Sequence, residues 1–111
     1  MAQAPAKSRR KTRPHSTTRY DVAEHLRTPE EMAAYLDAWL SETPEDVSGI
    51  ARALGDIARA KGMTQVARDA GLSRESLYRA LGGKGNPSFA TVLKVAKAIG
   101  FRFHTEAVDA L

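Results

Sequence analysis

Signals that start and stop helices recur at short intervals along this chain, and together they dictate a bundle of brief helices. Thr28-Pro29-Glu30-Glu31 is the first of them. Threonine at the N-cap, proline at the first helical position and glutamate at the third make a capping box. Behind it, Met32, Leu36, Trp39 and Leu40 fall on one stripe of period 3.6, with Ala33, Ala34 and Ala38 beside them. Tyr35 and Trp39 are expected in the core, an interface with a partner being the alternative. Thr43-Pro44-Glu45-Asp46 repeats the start device, and the next helix carries Val47, Ile50, Ala51, Leu54, Ile57 and Ala58 on one face. Lys61 suits its negative end, and Gly62 suits a left-handed cap. Thr64 is expected to cap a short third helix that stops at Gly71, and Ser73 a fourth that runs to about Leu81 on Leu77, Ala80 and Leu81. Gly82-Gly83-Lys84-Gly85-Asn86-Pro87 is a dense turn signal. Ser88 caps the last helix, with Phe89, Val92, Leu93, Val95, Ala96 and Ile99 apolar and Gly100 at its end.

Two segments flank this set. Tyr20, Val22, Ala23 and Leu26 form either a turn of helix or an extended piece. Residues 1–19 contain no Leu, Ile, Val or Phe. They cannot bury enough apolar surface to offset their ordering entropy, and are expected to be a disordered basic arm. Residues 20–111 then make one domain. Phe101-Arg102-Phe103-His104-Thr105 alternates apolar and polar strand formers. A lone strand needs a partner. Either it folds onto its own chain, or Phe101, Arg102, Phe103 and His104 pair with their copies in a homodimer.

The chain of 111 residues carries net charge +4, but that average conceals blocks. Residues 1–20 hold six basic residues and no acid, residues 21–62 four basic and nine acidic, and residues 63–104 seven basic and two acidic. Blocks of opposite sign imply separate surfaces for separate partners. The segment 63–104 is the candidate for a polyanion. The acidic segment, with Asp21, Glu24, Glu30, Glu31, Asp37 and Glu42, is the candidate surface for a basic protein. There is no cysteine and the three histidines are scattered, so neither a disulfide framework nor a zinc site is expected. No Ser/His/Asp set or phosphate loop is evident; Gly82-Gly83-Lys84-Gly85 lacks the required spacing and preceding strand. A non-enzymatic protein without cofactor follows. No apolar run approaches a membrane span and none follows the basic N-terminus, so a cytoplasmic protein is expected.

The informative segment is Ala67 to Arg79. Ala67 is small enough for a second helix to cross closely, Gly71 tolerates the positive φ of a tight turn, and Leu72 and Leu77 can pin the second helix from inside. This is the spacing of a helix-turn-helix. Ser73, Arg74, Glu75, Ser76, Tyr78 and Arg79 are then exposed on a helix that fits the DNA major groove. Arg74 and Arg79 are the leading candidates for contact with guanine or phosphate, the alternative being a surface pair with Glu75. Ser76 is a candidate base-edge hydroxyl. Lys84, Asn86 and the amide of Ser88 follow where the chain meets the backbone. Lys94, Lys97 and Arg102 add a general positive surface.

Residues 63–100 resemble the lambda-repressor/Cro class of helix-turn-helix domains, above all in the run from Gly85-Asn86-Pro87-Ser88-Phe89 to Val95-Ala96-Lys97-Ala98-Ile99-Gly100. More closely, Tyr20-Asp21-Val22-Ala23-Glu24-His25-Leu26, Leu54-Gly55-Asp56-Ile57-Ala58-Arg59-Ala60-Lys61-Gly62-Met63 and Leu72-Ser73-Arg74-Glu75-Ser76-Leu77-Tyr78-Arg79-Ala80-Leu81 resemble the HigA-like addiction-module antidote proteins. The resemblance implies an all-α, five-helix lambda-repressor-like domain acting as a dimer, to which the alternating segment at 101–105 would add a short C-terminal strand. It implies an antitoxin that neutralises a HigB/RelE-like toxin and represses its own operon on a DNA palindrome. A stand-alone prophage-type repressor is the alternative. One departure is plain. The repressor class has a glutamine four residues before the small alanine; Met63 stands there, and Gln65 is two residues before Ala67. A phosphate role for Thr64 and Gln65 rests on that shifted position.

Overall fold

The computed structural model describes Val22 and residues 24–109. The expected arm at 1–19, together with Tyr20, Asp21 and Ala23, lies outside the described residues. Among the described residues five full helices follow one another: α1 (Pro29–Glu42), α2 (Val47–Lys61), α3 (Met63–Ala70), α4 (Arg74–Ala80) and α5 (Phe89–Ile99). Among the described residues there is no strand. Val22, Glu24 and His25 are helical as well, and Val22 and Leu26 are buried.

α2 is the axis of the fold. It packs on α1, α3 and α5, while α3 also touches α4 and α5. Its centre is accordingly buried from Ala53 to Ala58. Leu54 and Ile57 meet Val66 of α3, Leu77 of α4 and Val95 of α5 in one apolar cluster, which Leu36 and Trp39 close from the α1 side. Small residues set the spacing. A Cβ at Gly49 would collide with Trp39 Cζ3 and Asp46 Oδ2, and one at Gly55 would lie 3.1 Å from the Leu81 carbonyl oxygen. Gly49→Ala therefore pits two effects against each other. Helix propensity favours alanine by about 1 kcal/mol, whereas overpacking a buried contact costs about 1–3 kcal/mol. The Trp39 ring is interior and cannot swing away, so the clash wins. We expect Gly49→Ala to lower the urea midpoint.

Most helix boundaries have a local cause. Thr28 Oγ1 accepts the Glu31 N–H at 3.0 Å, and Glu31 Oε1 accepts the N–H groups of Arg27 and Thr28 at 2.9 and 3.0 Å. The capping box is complete. The Arg27 N–H, with Thr28 beside it, holds the Glu31 carboxyl below the usual carboxylate range. Ser73 and Ser88 cap α4 and α5 through the N–H groups of Ser76 and Thr91, each at 3.0 Å. Gly71 and Gly100 end α3 and α5 in the left-handed conformation.

Two expected starts are corrected. Thr43 does not begin α2. Its N–H and its hydroxyl both donate to the Trp39 carbonyl at 2.9 Å, so it closes α1. α2 starts after Asp46, whose carboxylate accepts the Gly49 N–H at 2.9 Å. Nor does Thr64 cap α3: it lies inside the first turn, and the N-cap is Gly62, which has no side chain to offer. Four large side chains assigned to apolar faces are instead exposed, as are Ala33 and Ala34. Leu40, Val47 and Leu93 are partly so, and Phe89, at the first position of α5, is 74% exposed.

The C-terminal segment also differs from expectation. Residues 101–108 have no regular secondary structure in the single chain. The Phe101 N–H donates to the Ala96 carbonyl at 2.8 Å and the Gly100 N–H to that of Lys97 at 3.1 Å. That pair of bonds is a Schellman ending, which brings its following apolar residue back onto the helix. Phe101 is accordingly half-buried against the core, whereas Phe103 is exposed.

Candidate nucleic-acid interface

α3 and α4 are joined by three residues, Gly71, Leu72 and Ser73. The turn is tied at both ends. The Leu72 N–H donates to the Ala67 carbonyl at 2.8 Å and the Gly71 N–H to that of Arg68 at 3.1 Å, again a Schellman pair. Gly71 has φ 74°, a region costly for any residue with a Cβ. Ala67 is buried beneath the junction, Leu72 packs half-buried on the core, and Leu77 is fully buried. Gly71 makes the turn, and Ala67, Leu72 and Leu77 pack inward, as their spacing predicts.

Leu77 is the only buried residue of α4. Ala80 packs half-buried on the core, and most of the remaining side chains face out. Arg74, Glu75, Tyr78 and Arg79 are exposed, and Ser76 is half-buried with its hydroxyl accepting from Ser73 Oγ at 3.0 Å. The four exposed side chains form two neighbouring pairs one turn apart. Arg74 Nη2 donates to Tyr78 Oη at 3.2 Å, with its guanidinium carbon 5.5 Å from the ring centroid. Arg79 Nη1 lies 3.9 Å from Glu75 Oε2, with side chains 71% and 86% exposed. An exposed ion pair of this kind is worth about 0–1 kcal/mol, and an exposed cation–π contact about 0.5–1 kcal/mol. Such ties orient the two arginines without withholding them from a stronger acceptor.

The remaining positions surround this helix in sequence. Thr64 and Gln65 are exposed in the first turn of α3, where Gly62 leaves the leading N–H groups without a side-chain acceptor. Lys84 and Asn86 are exposed in the loop after α4, and Ser88 is exposed at the cap of α5. On the other side of the sequence, Glu24, Glu30, Glu31, Asp37 and Glu42 are all exposed, while Asp21 lies outside the described residues. Glu31 is committed to its capping box. Glu30 and Asp37 share the outer face of α1 with the exposed Ala33 and Ala34. Arg102, Phe103 and His104 are exposed, and Phe101 is turned inward.

One polar cluster is not singled out by the sequence. Asp56, buried in α2, accepts from Tyr35 Oη at 2.9 Å and from Arg59 Nη2 at 2.7 Å. The Arg59 contact is visible as an i,i+3 spacing; the Tyr35 contact crosses 21 residues and exists only because α1 lies on α2. No group of histidine, cysteine and carboxylate residues suited to a metal ion occurs among the described residues. No helix there is long and apolar enough to cross a membrane.

Fold and surface define a small all-helical domain that holds a short cationic helix outward behind a glycine turn. The chain belongs to the family described as "Probable addiction module antidote protein", whose model matches residues 16–107. An antidote is one half of a toxin–antitoxin pair, and a toxin partner goes with that membership. A protein of Haemophilus influenzae described as "Uncharacterized protein" is 55% identical over 87 residues, which cover 78% of this chain and 88% of the relative. No solved structure matches.

Proposed function

We propose that this chain is the antitoxin of a type II toxin–antitoxin module. It neutralises a HigB/RelE-like toxin and, as a homodimer, represses its own operon. The observation that carries the DNA half of this reading is α4 itself: one buried anchor, Leu77, beneath an outward set of Arg74, Glu75, Tyr78 and Arg79. α3 and α4 act as a helix-turn-helix of the lambda-repressor type. Arg74 and Arg79 reach base edges in the major groove, where a bidentate contact to guanine is worth about 1–3 kcal/mol of discrimination. Ser76 and Tyr78 complete the groove contacts, and Glu75 steers Arg79. The free N–H groups around Thr64 and Gln65, with Lys84, Asn86 and the start of α5 at Ser88, hold phosphates.

Two copies supply two such helices, a pairing to which exposed Phe103 contributes together with Arg102 and His104. Phe101 supports that segment from its own core. The toxin, a basic RNA-binding protein, meets the acidic outer face of α1 around Glu30 and Asp37, with Glu24 and Glu42 at its borders. The deciding experiment expresses the adjacent reading frame alone and together with this chain. Growth arrest relieved by co-expression, with both proteins eluting together, is the expected result. A chain that shifts its upstream DNA but neither rescues growth nor co-elutes is a stand-alone repressor, which contradicts the antitoxin reading.

A further inference from the structure

We propose that Arg52, on α2, is an additional phosphate-binding residue of the DNA-facing surface, seated there by the bare backbone of Gly83. The inference rests on the DNA-binding reading above. Arg52 belongs by sequence to the acidic segment, and nothing in its own neighbourhood along the chain marks it out. The fold removes it from that company. A Cβ at Gly83 would lie 2.7 Å from Arg52 Cγ, 2.9 Å from its Cδ and 2.8 Å from its Nη1. The stem and one guanidinium nitrogen therefore lie along the Gly83 backbone, in the loop that leaves α4. Glycine suits the position twice over: its φ is 85°, and an added Cβ would push the arginine out of this seat.

The guanidinium so placed has five N–H donors and no ion pair or hydrogen bond to any other described residue. Residues 81–105 contain no Asp or Glu, so neither the loop nor α5 supplies a carboxylate for it. The next residue in the loop is Lys84, exposed, followed by exposed Asn86. A half-buried, unneutralised fork beside a lysine, on a stretch without acids, suits a phosphodiester, whose two free oxygens match the guanidinium in a bidentate pair. Arg52 adds a half-buried cation where Lys84 adds an exposed one. Being on a long buried helix, it would also transmit the position of the duplex directly to the core.

The test measures binding of a labelled duplex from the gene's own upstream region across a salt series, for the full chain and for Arg52→Met and Arg52→Gln. Methionine keeps the stem that packs on Gly83, and thermal melting checks that each variant is folded. Both variants are expected to bind about tenfold more weakly, the usual scale for removing one charge-assisted hydrogen bond. The slope of log K against log salt should become shallower by about 0.9 for each phosphate no longer neutralised. The weakening should be equal on unrelated duplex DNA, because a phosphate carries no sequence. Wild-type binding with unchanged affinity and slope in Arg52→Met overturns the inference alone. Wild-type protein that binds no duplex overturns the DNA-binding reading, and this inference with it.

Discussion

Leu77→Ala is expected to destabilise the protein by about 2–5 kcal/mol, the range for truncating a fully buried leucine, and to abolish DNA binding below the global unfolding midpoint. α4 has seven residues, too few to persist as an isolated helix. Its Ser73 cap contributes about 1 kcal/mol, and Leu77 is its only buried side chain, with Leu81 buried just beyond its end. Removing the anchor therefore acts on the local equilibrium before it acts on the whole domain. Since a small domain holds only about 5–15 kcal/mol in total, the global midpoint in urea falls as well. Leu93→Ala provides the contrast. Leu93 is 43% exposed, so its truncation should move the midpoint far less. Equal shifts for the two substitutions would mean that α4 is not held by Leu77.

Replacing both Arg74 and Arg79 by alanine should have the opposite signature: little change in stability and a large drop in selectivity. The substitutions remove a 3.2 Å bond to Tyr78 and a 3.9 Å pair with Glu75, both exposed. Their removal together is expected to cost about 0.5–2 kcal/mol, well below the loss for Leu77→Ala. Each arginine that pairs with guanine contributes about 1–3 kcal/mol of discrimination in each half-site. The ratio of Kd on unrelated DNA to Kd on the upstream duplex, at one salt concentration, should therefore collapse by orders of magnitude. Arg52→Met, by contrast, should weaken both duplexes alike. A double variant that keeps its selectivity would remove α4 from base recognition.

What is legible in the sequence and what is hidden divide along a physical line. Thr28, Ser73, Ser88, Gly71 and Gly100 are readable because each acts on backbone groups within a few residues. Thr43 and Thr64 mislead because a threonine near a helix boundary serves equally well on either side of it. Only the Trp39 carbonyl, reached from the preceding turn, decides for Thr43. Phe101 and Phe103 look alike in an alternating pattern, yet the left-handed Gly100 folds the first back onto α5 and leaves the second in solvent. Phe89 and Leu93 carry the right residue type for the core, but α5 turns them away from it. The Tyr35–Asp56 bond and the Arg52–Gly83 contact join segments far apart in the chain, and no local pattern announces either. For the candidate site, the outward exposure of Arg74, Glu75, Tyr78 and Arg79 is legible, because the buried Leu77 and the Gly71 turn are both local to α4.

The central claim is that α4 is a DNA-reading helix presented in pairs. Footprinting of the gene's own upstream region, combined with methylation interference at guanine N7, tests it most directly. We expect two protected half-sites about one helical turn apart, roughly 34 Å, each with interfering guanines that disappear in the Arg74 and Arg79 double variant. Uniform protection of upstream and unrelated DNA, or protection that the double variant reproduces unchanged, would contradict it.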